Sequence, residues 1–371
     1  MSEFLRHAAG AALALSIMGG IASGQQYNQT NLVANTAGVA TTTDPDLVNP
    51  WGVSRSSSSP WWIADNKTGL STLYNGAGTK LGLIVTIPAA TTGQVGTPTG
   101  TIYNGSKTDF LLAPASPALF LFSTLDGEIV GWNSTAGAVA MVKTKDGSSY
   151  TGLTSATVDG KLYLYAANFT KGRVDVYDSA FHRVPYGEER FDDDQLPYKY
   201  VPFNVQAIGG NIVVTYALHE PGEIHETDGP GLGRVAIFSS SGRLVQRLEH
   251  GDWLNAPWGV ALAPLDFGAY SHDLLIAQWA GGGTSESSGY IAAYDLATGR
   301  FKGLLEDAAG NPLAINGVWA ISPGNSSPNN FDSAGAPSTE LYFAAGPDHG
   351  SGGLLGYLTA VSTDLIQGND Q

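Results

Sequence analysis

The sequence contains no cysteine among its 371 residues. This absence excludes disulfide bonds, zinc–thiolate sites and thiol nucleophiles. Charged residues are also scarce, at 14% of the chain, whereas long surface helices need many more lysines, arginines and glutamates. Any chemistry must therefore come from oxygen and imidazole groups, and the fold is expected to contain few helices.

Basic residues are outnumbered, with 18 Lys and Arg against 33 Asp and Glu, which gives a net charge of −15. Such a surface repels phosphate groups, so nucleic acid and anionic membranes are excluded as partners. The 43% of hydrophobic residues is too high for a disordered chain, and 48 glycines and 19 prolines indicate many turns. The composition therefore favours many short elements around a large core.

One long apolar run occurs, over residues 8–21 after Arg6 and His7, and small residues follow at 22–24. The run is too short to cross a bilayer, which takes about 20 residues, and its end suits a signal peptidase. We interpret residues 1–24 as a removed secretory signal peptide; a buried N-terminal helix is the alternative. We therefore expect a secreted, soluble monomer. Six Asn-x-Ser/Thr triplets are candidate glycan acceptors: Asn28, Asn66, Asn104, Asn133, Asn168 and Asn325.

A short phrase recurs at near-equal intervals along the chain. It reads Asn49-Pro50-Trp51-Gly52-Val53 near the beginning, and related versions occupy residues 255–260 and 316–320. Six candidate unit starts, about 50 to 60 residues apart, lie at Asn49, Thr99, Gly152, Asn204, Asn255 and Asn316. Repetition at such a period is typical of propellers and other repeat folds.

Each unit contains apolar runs separated by glycine-rich turns, which is the pattern of buried strands. Four strands per unit, six times over, predict an all-β six-bladed β-propeller across residues 25–365, with a short tail over 366–371. The sixth unit has three clear strands, so we expect the N-terminal segment 26–33 to supply its fourth strand and close the ring. Separate β-sandwiches are the structural alternative.

The phrases at residues 49–53, 62–66 and 255–260 resemble those of NHL-like six-bladed propellers, and among them an uncharacterised secreted family. The resemblance covers roughly residues 26–362 and implies the fold rather than an activity, because one propeller scaffold carries lactonases, lyases, sugar dehydrogenases and binding modules. Calcium-dependent lactonases are similar in architecture, but a metal-binding Glu opens their first blade where this chain has Asn49.

Propeller geometry predicts where a site lies. Residues that open the innermost strands, and loops that join second and third strands, should meet at one face of the ring. The predicted ligand-binding residues at this face are Asn49, Asn204, Asn255, Asn316, Gln278 and Trp279. Ca²⁺ is a candidate cofactor because it binds oxygen ligands, and the candidate ligands are Asp65, Asp348, Asn204 and Asn255. The alternative is that the repeated asparagines only cap turns.

Two histidines follow second strands and each has an acidic neighbour. His219 precedes Glu220, and His349 follows Asp348. A histidine beside a carboxylate is suited to general base catalysis or metal binding, so His219, His349 and Asp348 are the candidate catalytic residues. Solvated loop histidines are the alternative.

Two classes of function are consistent with these patterns. The first is a secreted propeller that binds a small polar or carbohydrate-like ligand at the axial face, with metal-assisted hydrolase-, lactonase- or lyase-like turnover as an extension. The second is a non-catalytic extracellular protein that recognises a macromolecule. A blocked channel favours the second class.

The repeated tryptophans, Trp51, Trp258 and Trp319, are interpreted as packing between blades. Trp253 and Trp279 lie outside the repeated phrase, which makes them the better candidates for an aromatic binding surface.

Overall fold

A computed structural model describes residues 25–134, 137–185, 191–223, 225–280, 288–324 and 339–362. The predicted signal peptide at 1–24, the predicted tail at 366–371 and the glycan acceptor Asn325 lie outside these ranges. The described chain forms six antiparallel blades around a ring, which confirms the predicted β-propeller.

The blades are numbered in the order in which they occur along the chain, and the strands of each blade are named from the channel outward. Blade 1 contains Pro50–Ser54, Trp61–Asp65, Leu70–Tyr74 and Val85–Thr86. Blade 2 contains Pro98–Tyr103, Phe120–Thr124, Glu128–Trp132 and Val139–Lys143. Blade 3 contains Tyr150–Val158, Lys161–Asn168 and Arg173–Tyr177, and a single β-bridge between Tyr177 and Arg183 stands at its outer edge.

Blades 4 to 6 complete the ring. Blade 4 contains Tyr200–Ile208, Asn211–Leu218, Gly233–Ser239 and Leu244–Arg247. Blade 5 contains Pro257–Leu262, Leu274–Gln278, Ile291–Tyr294 and Phe301–Leu304. Blade 6 contains Val318–Pro323, Glu340–Ala345, Leu354–Ala360, Tyr27–Ala34 and Thr42–Thr43. The short remaining elements are the strand pairs Leu111–Ala113 with Ser116–Pro117 and Ser288–Gly289 with Ile315–Asn316, the 3₁₀ turn Gly268–Tyr270, and the helical turn Pro347–Gly350.

The ring closes through the N-terminal strand, as the sequence predicted. Tyr27–Ala34 pairs antiparallel with Leu354–Ala360 in blade 6, from Tyr27 opposite Ala360 to Ala34 opposite Leu354. The innermost strands of blades 6 and 1 also lie side by side. Because Tyr27–Ala34 covers the outer edge of Leu354–Ala360, that edge offers no unpaired backbone to another chain.

Close packing explains why glycine returns in the repeated phrase of the first, second and fifth units. A Cβ atom on Gly52 would lie 2.5 Å from the Thr99 carbonyl oxygen, and one on Gly100 would lie 2.4 Å from the Leu153 nitrogen. Gly259 is equally close to the next blade, since its Cβ would lie 2.3 Å from the Trp319 carbonyl oxygen. These innermost strands therefore approach one another so closely that only glycine fits.

Apolar side chains fill the spaces between blades. The second strand of blade 1, Trp61–Asp65, is buried along its whole length, as is Phe120–Thr124 in blade 2. Trp62 stacks on Phe120 across the gap, with ring centroids 4.0 Å apart. Blades 1 and 2 thus bury both faces of their second strands. Within the described ranges, no helix has the length and apolar character needed to cross a membrane.

Candidate functional site

Aromatic rings close the channel at the face where the innermost strands begin. Trp51 stacks on Trp319 with centroids 3.8 Å apart, and Trp258 meets both rings edge-on at 6.0 and 5.9 Å. Phe203 of blade 4 adds an edge contact to Trp51 at 6.4 Å. We call the set Trp51, Phe169, Phe203, Trp258 and Trp319 the aromatic plug. The repeated tryptophans thus connect different blades by packing on one another across the ring.

The space enclosed by the innermost strands is small. A cavity of about 30 Å³ is lined by residues of all six blades, among them Gly52, Gly100, Leu153, Asn204 and Ala320. A volume of this size holds about a single water molecule. This cavity therefore has no room for a substrate.

Three of the predicted ligand-binding residues are used for internal structure. Asn204 donates from Nδ2 to the Trp258 carbonyl oxygen at 2.7 Å, which links blades 4 and 5. Gln278 accepts from the Asn255 backbone N–H at 2.6 Å and donates to the Trp253 carbonyl oxygen at 2.6 Å. Asn255 in turn accepts the backbone N–H of Gly229 at 2.8 Å. Hydrogen bonds of this kind are what the turn-capping alternative expects.

Asp65 is a fully buried carboxyl group in blade 1. Its Oδ2 accepts hydrogen bonds from the backbone N–H and the hydroxyl of Thr72, at 3.0 and 2.8 Å. Burial raises the pKa of Asp65 well above its ordinary value, the bonds from Thr72 lower it, and the nearby carboxylates Asp44 and Asp46 raise it further. Asp65 is therefore stabilised in its neutral form, which is a poor ligand for a cation.

The described residues contain no group of three or more Asp, Glu or His side chains arranged to hold a metal ion. Of the four candidate calcium ligands, Asn204 and Asn255 are committed to internal hydrogen bonds, Asp65 is buried, and Asp348 is exposed. This donor set does not fit the six to eight oxygen ligands that Ca²⁺ takes.

Asp348 and His349 lie on a strained turn at the rim of the channel face. Their φ angles are +54° and +55°, and Gly350 follows at +76°. Successive residues in the left-handed region are costly for any residue other than glycine. Backbone N–H groups hold the turn in place, with Gly350 donating to Gly346 and Gly352 donating to Pro347. Both side chains are exposed.

Asn49 supports this turn from below. Its backbone N–H donates to the Gly352 carbonyl oxygen at 2.8 Å, and its Oδ1 accepts from Nε1 of Trp319 at 3.0 Å. A Cβ atom on Gly346 or Gly350 would lie 2.1 or 3.0 Å from the Asn49 side chain. Asn49 therefore joins the turn to the aromatic plug.

Trp279 lies between the plug and the same turn. Its ring stacks on Trp319 with centroids 4.4 Å apart, and it remains half-buried. Gly317, which follows Asn316, lies between this ring and the turn: a Cβ atom on it would be 2.8 Å from the Trp279 ring and 2.3 Å from the Gly346 carbonyl oxygen. Trp279 and Asn316 therefore lie beside the start of the turn. We call the group Asn49, Trp279, Asn316, Asp348 and His349 the rim site.

His219 lies on another part of the channel face, in blade 4. Its ring packs on Phe169 of the aromatic plug at 4.6 Å, and its Nε2 lies 2.9 Å from the Glu223 carbonyl oxygen. Glu220, its acidic neighbour, pairs with Lys199 at 2.5 Å. The acidic partner that the sequence suggested for His219 is thus occupied by a lysine.

Trp253 packs inside blade 5 rather than presenting a free ring face to the rim site. It stacks on Phe301 at 4.2 Å and donates from Nε1 to the Tyr294 hydroxyl at 2.9 Å.

Three candidate glycan acceptors, Asn66, Asn104 and Asn168, are buried, whereas Asn28 is exposed. A glycan on one of the buried three is incompatible with the fold.

No protein-family model matches this chain. Two uncharacterized proteins of Acanthamoeba polyphaga mimivirus are similar to it in sequence. One is 29% identical over 336 residues, covering 88% of this chain and 78% of the relative. The other is 27% identical over 352 residues, covering 88% of this chain and 84% of the relative.

Solved structures share the architecture at low sequence identity. A catalytically inactive variant of virginiamycin B lyase from Staphylococcus aureus with quinupristin has a TM-score of 0.50 at 12% identity, covering 91% of this chain and 100% of that one. A glucose dehydrogenase reaches 0.52 at 12% identity, covering 90% and 100%. The soluble aldose sugar dehydrogenase of Escherichia coli, in its apo form, reaches 0.51 at 13% identity, covering 90% and 99%. This chain shares their propeller fold. At such identities, the likeness extends to the fold alone.

Proposed function

We propose that the protein is a secreted, non-catalytic propeller that binds a carbohydrate-like ligand at the rim site. The observation that carries this proposal is the left-handed turn, which presents the exposed Asp348 and His349 beside the half-buried ring of Trp279. Strained backbone persists where surrounding structure fixes it, and it is concentrated at binding and catalytic sites. Here Asn49 and the plug provide that fixation.

The chemistry of the rim site suits a sugar. An aromatic face packs against the apolar C–H face of a sugar ring, and carboxylate, imidazole and amide groups exchange hydrogen bonds with hydroxyls. These groups lie at an exposed rim and not in a closed pocket, so water can reach a ligand that is bound there. This argues for recognition rather than for catalysis, which profits from a site that excludes water.

The aromatic plug also supports binding at the face of the ring rather than catalysis inside the channel. Because rings from several blades fill the channel mouth and the cavity beneath them holds about one water molecule, a ligand is expected to bind on the face and not along the axis. A metal-assisted reaction is not part of this proposal, because Asp65, Asn204 and Asn255 do not form a suitable set of metal ligands.

A glycan array tests the proposal. The protein should bind a subset of neutral or acidic oligosaccharides, and Trp279→Ala should abolish that binding. Trp253→Ala is the matched control, because Trp253 is also half-buried but stacks on Phe301; it should leave the array pattern unchanged. Absence of binding by the wild type, or equal binding by both variants, would refute the proposal.

A further inference from the structure

A second cavity, separate from the channel, lies on the flank of blade 4. Its volume is about 330 Å³, at the small end of the range for small-molecule sites, which is roughly 300–1,000 Å³. Its lining includes Tyr216, Arg234, Arg247 and His250, together with the segment that links blades 3 and 4. We call it the flank pocket.

The strand register explains why these side chains meet. Tyr216 is the cross-strand partner of Arg234, and Arg247 is the partner of Ala236. Arg234 and Ala236 are two residues apart on one strand, so all four side chains share a face of the blade. Tyr216 and Ala236 pack on that face in the cluster that also contains Val176 of blade 3.

Tyr216 carries a buried hydroxyl that lacks a partner. The residue is 2% exposed, and across the described ranges its hydroxyl makes no hydrogen bond. Leaving such a group unsatisfied is costly, and most buried hydroxyls in native proteins are paired. A ligand with an acceptor atom in the flank pocket would supply the missing partner.

Arg234 provides positive charge in an otherwise acidic protein. Its Nη1 donates to the backbone carbonyl oxygens of Gly231 and Gly233, at 2.8 and 2.6 Å, and its guanidinium lies over the Tyr200 ring at 4.9 Å. Among the residues that the structure describes, no carboxylate forms an ion pair with Arg234. Its remaining N–H groups are available to an anion.

The other ionisable groups of the pocket are either paired with a group of opposite charge or neutral. Asp193 accepts from Nε and Nη2 of Arg247 at 2.8 and 2.6 Å, and Asp194 accepts from Nη2 of Arg247 at 2.8 Å. Burial and the charge of Arg234 lower the pKa of His250, so this histidine is neutral near pH 7. Arg234 is therefore the charged side chain of this lining that no described residue of opposite charge pairs with.

We propose that the flank pocket binds a small organic anion, either a carboxylate or a phosphate or sulfate ester. Arg234 and the Tyr216 hydroxyl donate to the anionic group, and Leu196 and Pro197 from the linking segment cover an apolar body. This site is independent of the rim site, since the two share no residue.

Fluorine NMR with 4-fluorobenzoate tests this proposal, with 4-fluorobenzyl alcohol as its neutral counterpart and inorganic phosphate as a competitor. The benzoate should bind, and the alcohol should bind at least tenfold more weakly. Tyr216→Phe removes only the unpartnered hydroxyl and leaves a residue that still packs, so it should fold and weaken the benzoate about tenfold. Arg234→Gln should weaken it at least as much.

Arg243→Gln is the matched control, because Arg243 is an exposed arginine of the same blade that does not line the pocket; it should bind like the wild type. Displacement by phosphate would assign the site to oxyanions in general, and resistance to phosphate would assign it to carboxylates with an apolar body. Equal affinity for benzoate and alcohol, no binding of either probe, or unchanged binding in both Tyr216→Phe and Arg234→Gln would overturn the proposal.

Discussion

Trp51 and Trp319 stack face to face at the channel mouth, with ring centroids 3.8 Å apart and planes inclined by 20°. One residue belongs to the first blade and the other to the last, so this contact spans the point at which the ring closes. Trp51 is 7% exposed and also meets Trp258 and Phe203. The aromatic plug thus serves as the central packing of the propeller.

Replacing Trp51 should be among the more destabilising single changes. Trp51→Ala removes a buried ring and leaves a cavity, which costs about 3–5 kcal/mol in the free energy of unfolding. Urea denaturation monitored by circular dichroism measures this loss. Leu265→Ala is the control, since Leu265 is 63% exposed and its replacement should change the free energy by less than about 0.5 kcal/mol. Equal effects of the two changes would contradict a packing role for the plug.

Because the innermost strands approach one another closely, adding a side chain at Gly100 should destabilise the propeller. Gly100→Ala forces a Cβ atom to within 2.4 Å of the Leu153 backbone, and such overpacking costs about 1–3 kcal/mol or more. Gly82→Ala is a matched change, because a Cβ atom there would meet nothing within 4 Å. Thermal unfolding should give a clearly lower melting temperature for Gly100→Ala only. Similar melting temperatures for the two variants would show that blade spacing does not depend on this glycine.

The buried carboxyl group of Asp65 should make stability depend on pH. Burial raises the folded-state pKa of Asp65 above its unfolded value, near 3.9. The stabilising neutral form is therefore fully populated below the unfolded pKa, and its contribution is lost as the pH rises through the folded pKa. Asp65→Asn keeps an acceptor for Thr72 and cannot ionise.

The comparison of Asp65→Asn with the wild type isolates this effect. Denaturant unfolding at a series of pH values should show the variant gaining stability relative to the wild type as the pH rises above about 4. The change with pH is the diagnostic quantity, because the new amide N–H₂ group adds a constant cost of its own. A difference between the two proteins that stays constant with pH would mean that the pKa of Asp65 is not raised.

The fold was predictable because its physical requirements recur in the sequence. The close approach of innermost strands explains the return of glycine at residues 52, 100 and 259. The apolar second strands of blades 1 and 2 are buried on both faces. The closing strand could be anticipated because the last unit lacked one strand. These signals are local, and they recur along the chain: the apolar runs occur in all six units and the glycine in several of them.

The rim site was only partly predictable. Asn49, Trp279, Asn316, Asp348 and His349 could be assigned to one face from topology, but nothing in the sequence indicates left-handed backbone at Asp348 and His349. That conformation depends on hydrogen bonds within the turn and on its contact with Asn49, far away in the chain. The internal roles of Asn204, Asn255 and Gln278 depend in the same way on neighbouring blades.

The flank pocket could not be anticipated at all. Its two key groups become neighbours through the register that sets Tyr216 opposite Arg234, and register is fixed by the whole sheet. The structure also pairs Asp193 with Arg247, 54 residues further along the chain. Ion pairs between segments that are distant in sequence leave no local pattern.

We propose that the left-handed turn at the rim is kept for ligand binding at a cost in stability. Asp348→Gly removes the exposed carboxylate and also the backbone strain, so it should raise the free energy of unfolding by about 1 kcal/mol. Asp159→Gly is the matched control: Asp159 is also exposed and left-handed, with φ of +49°, but it lies in the turn between the first two strands of blade 3.

The most direct test is calorimetric titration of the oligosaccharide that binds best on the glycan array, carried out with the wild type and with both glycine variants. We expect both variants to be more stable than the wild type, Asp159→Gly to bind the sugar normally, and Asp348→Gly to bind it at least tenfold more weakly. Normal binding by Asp348→Gly would contradict this proposal.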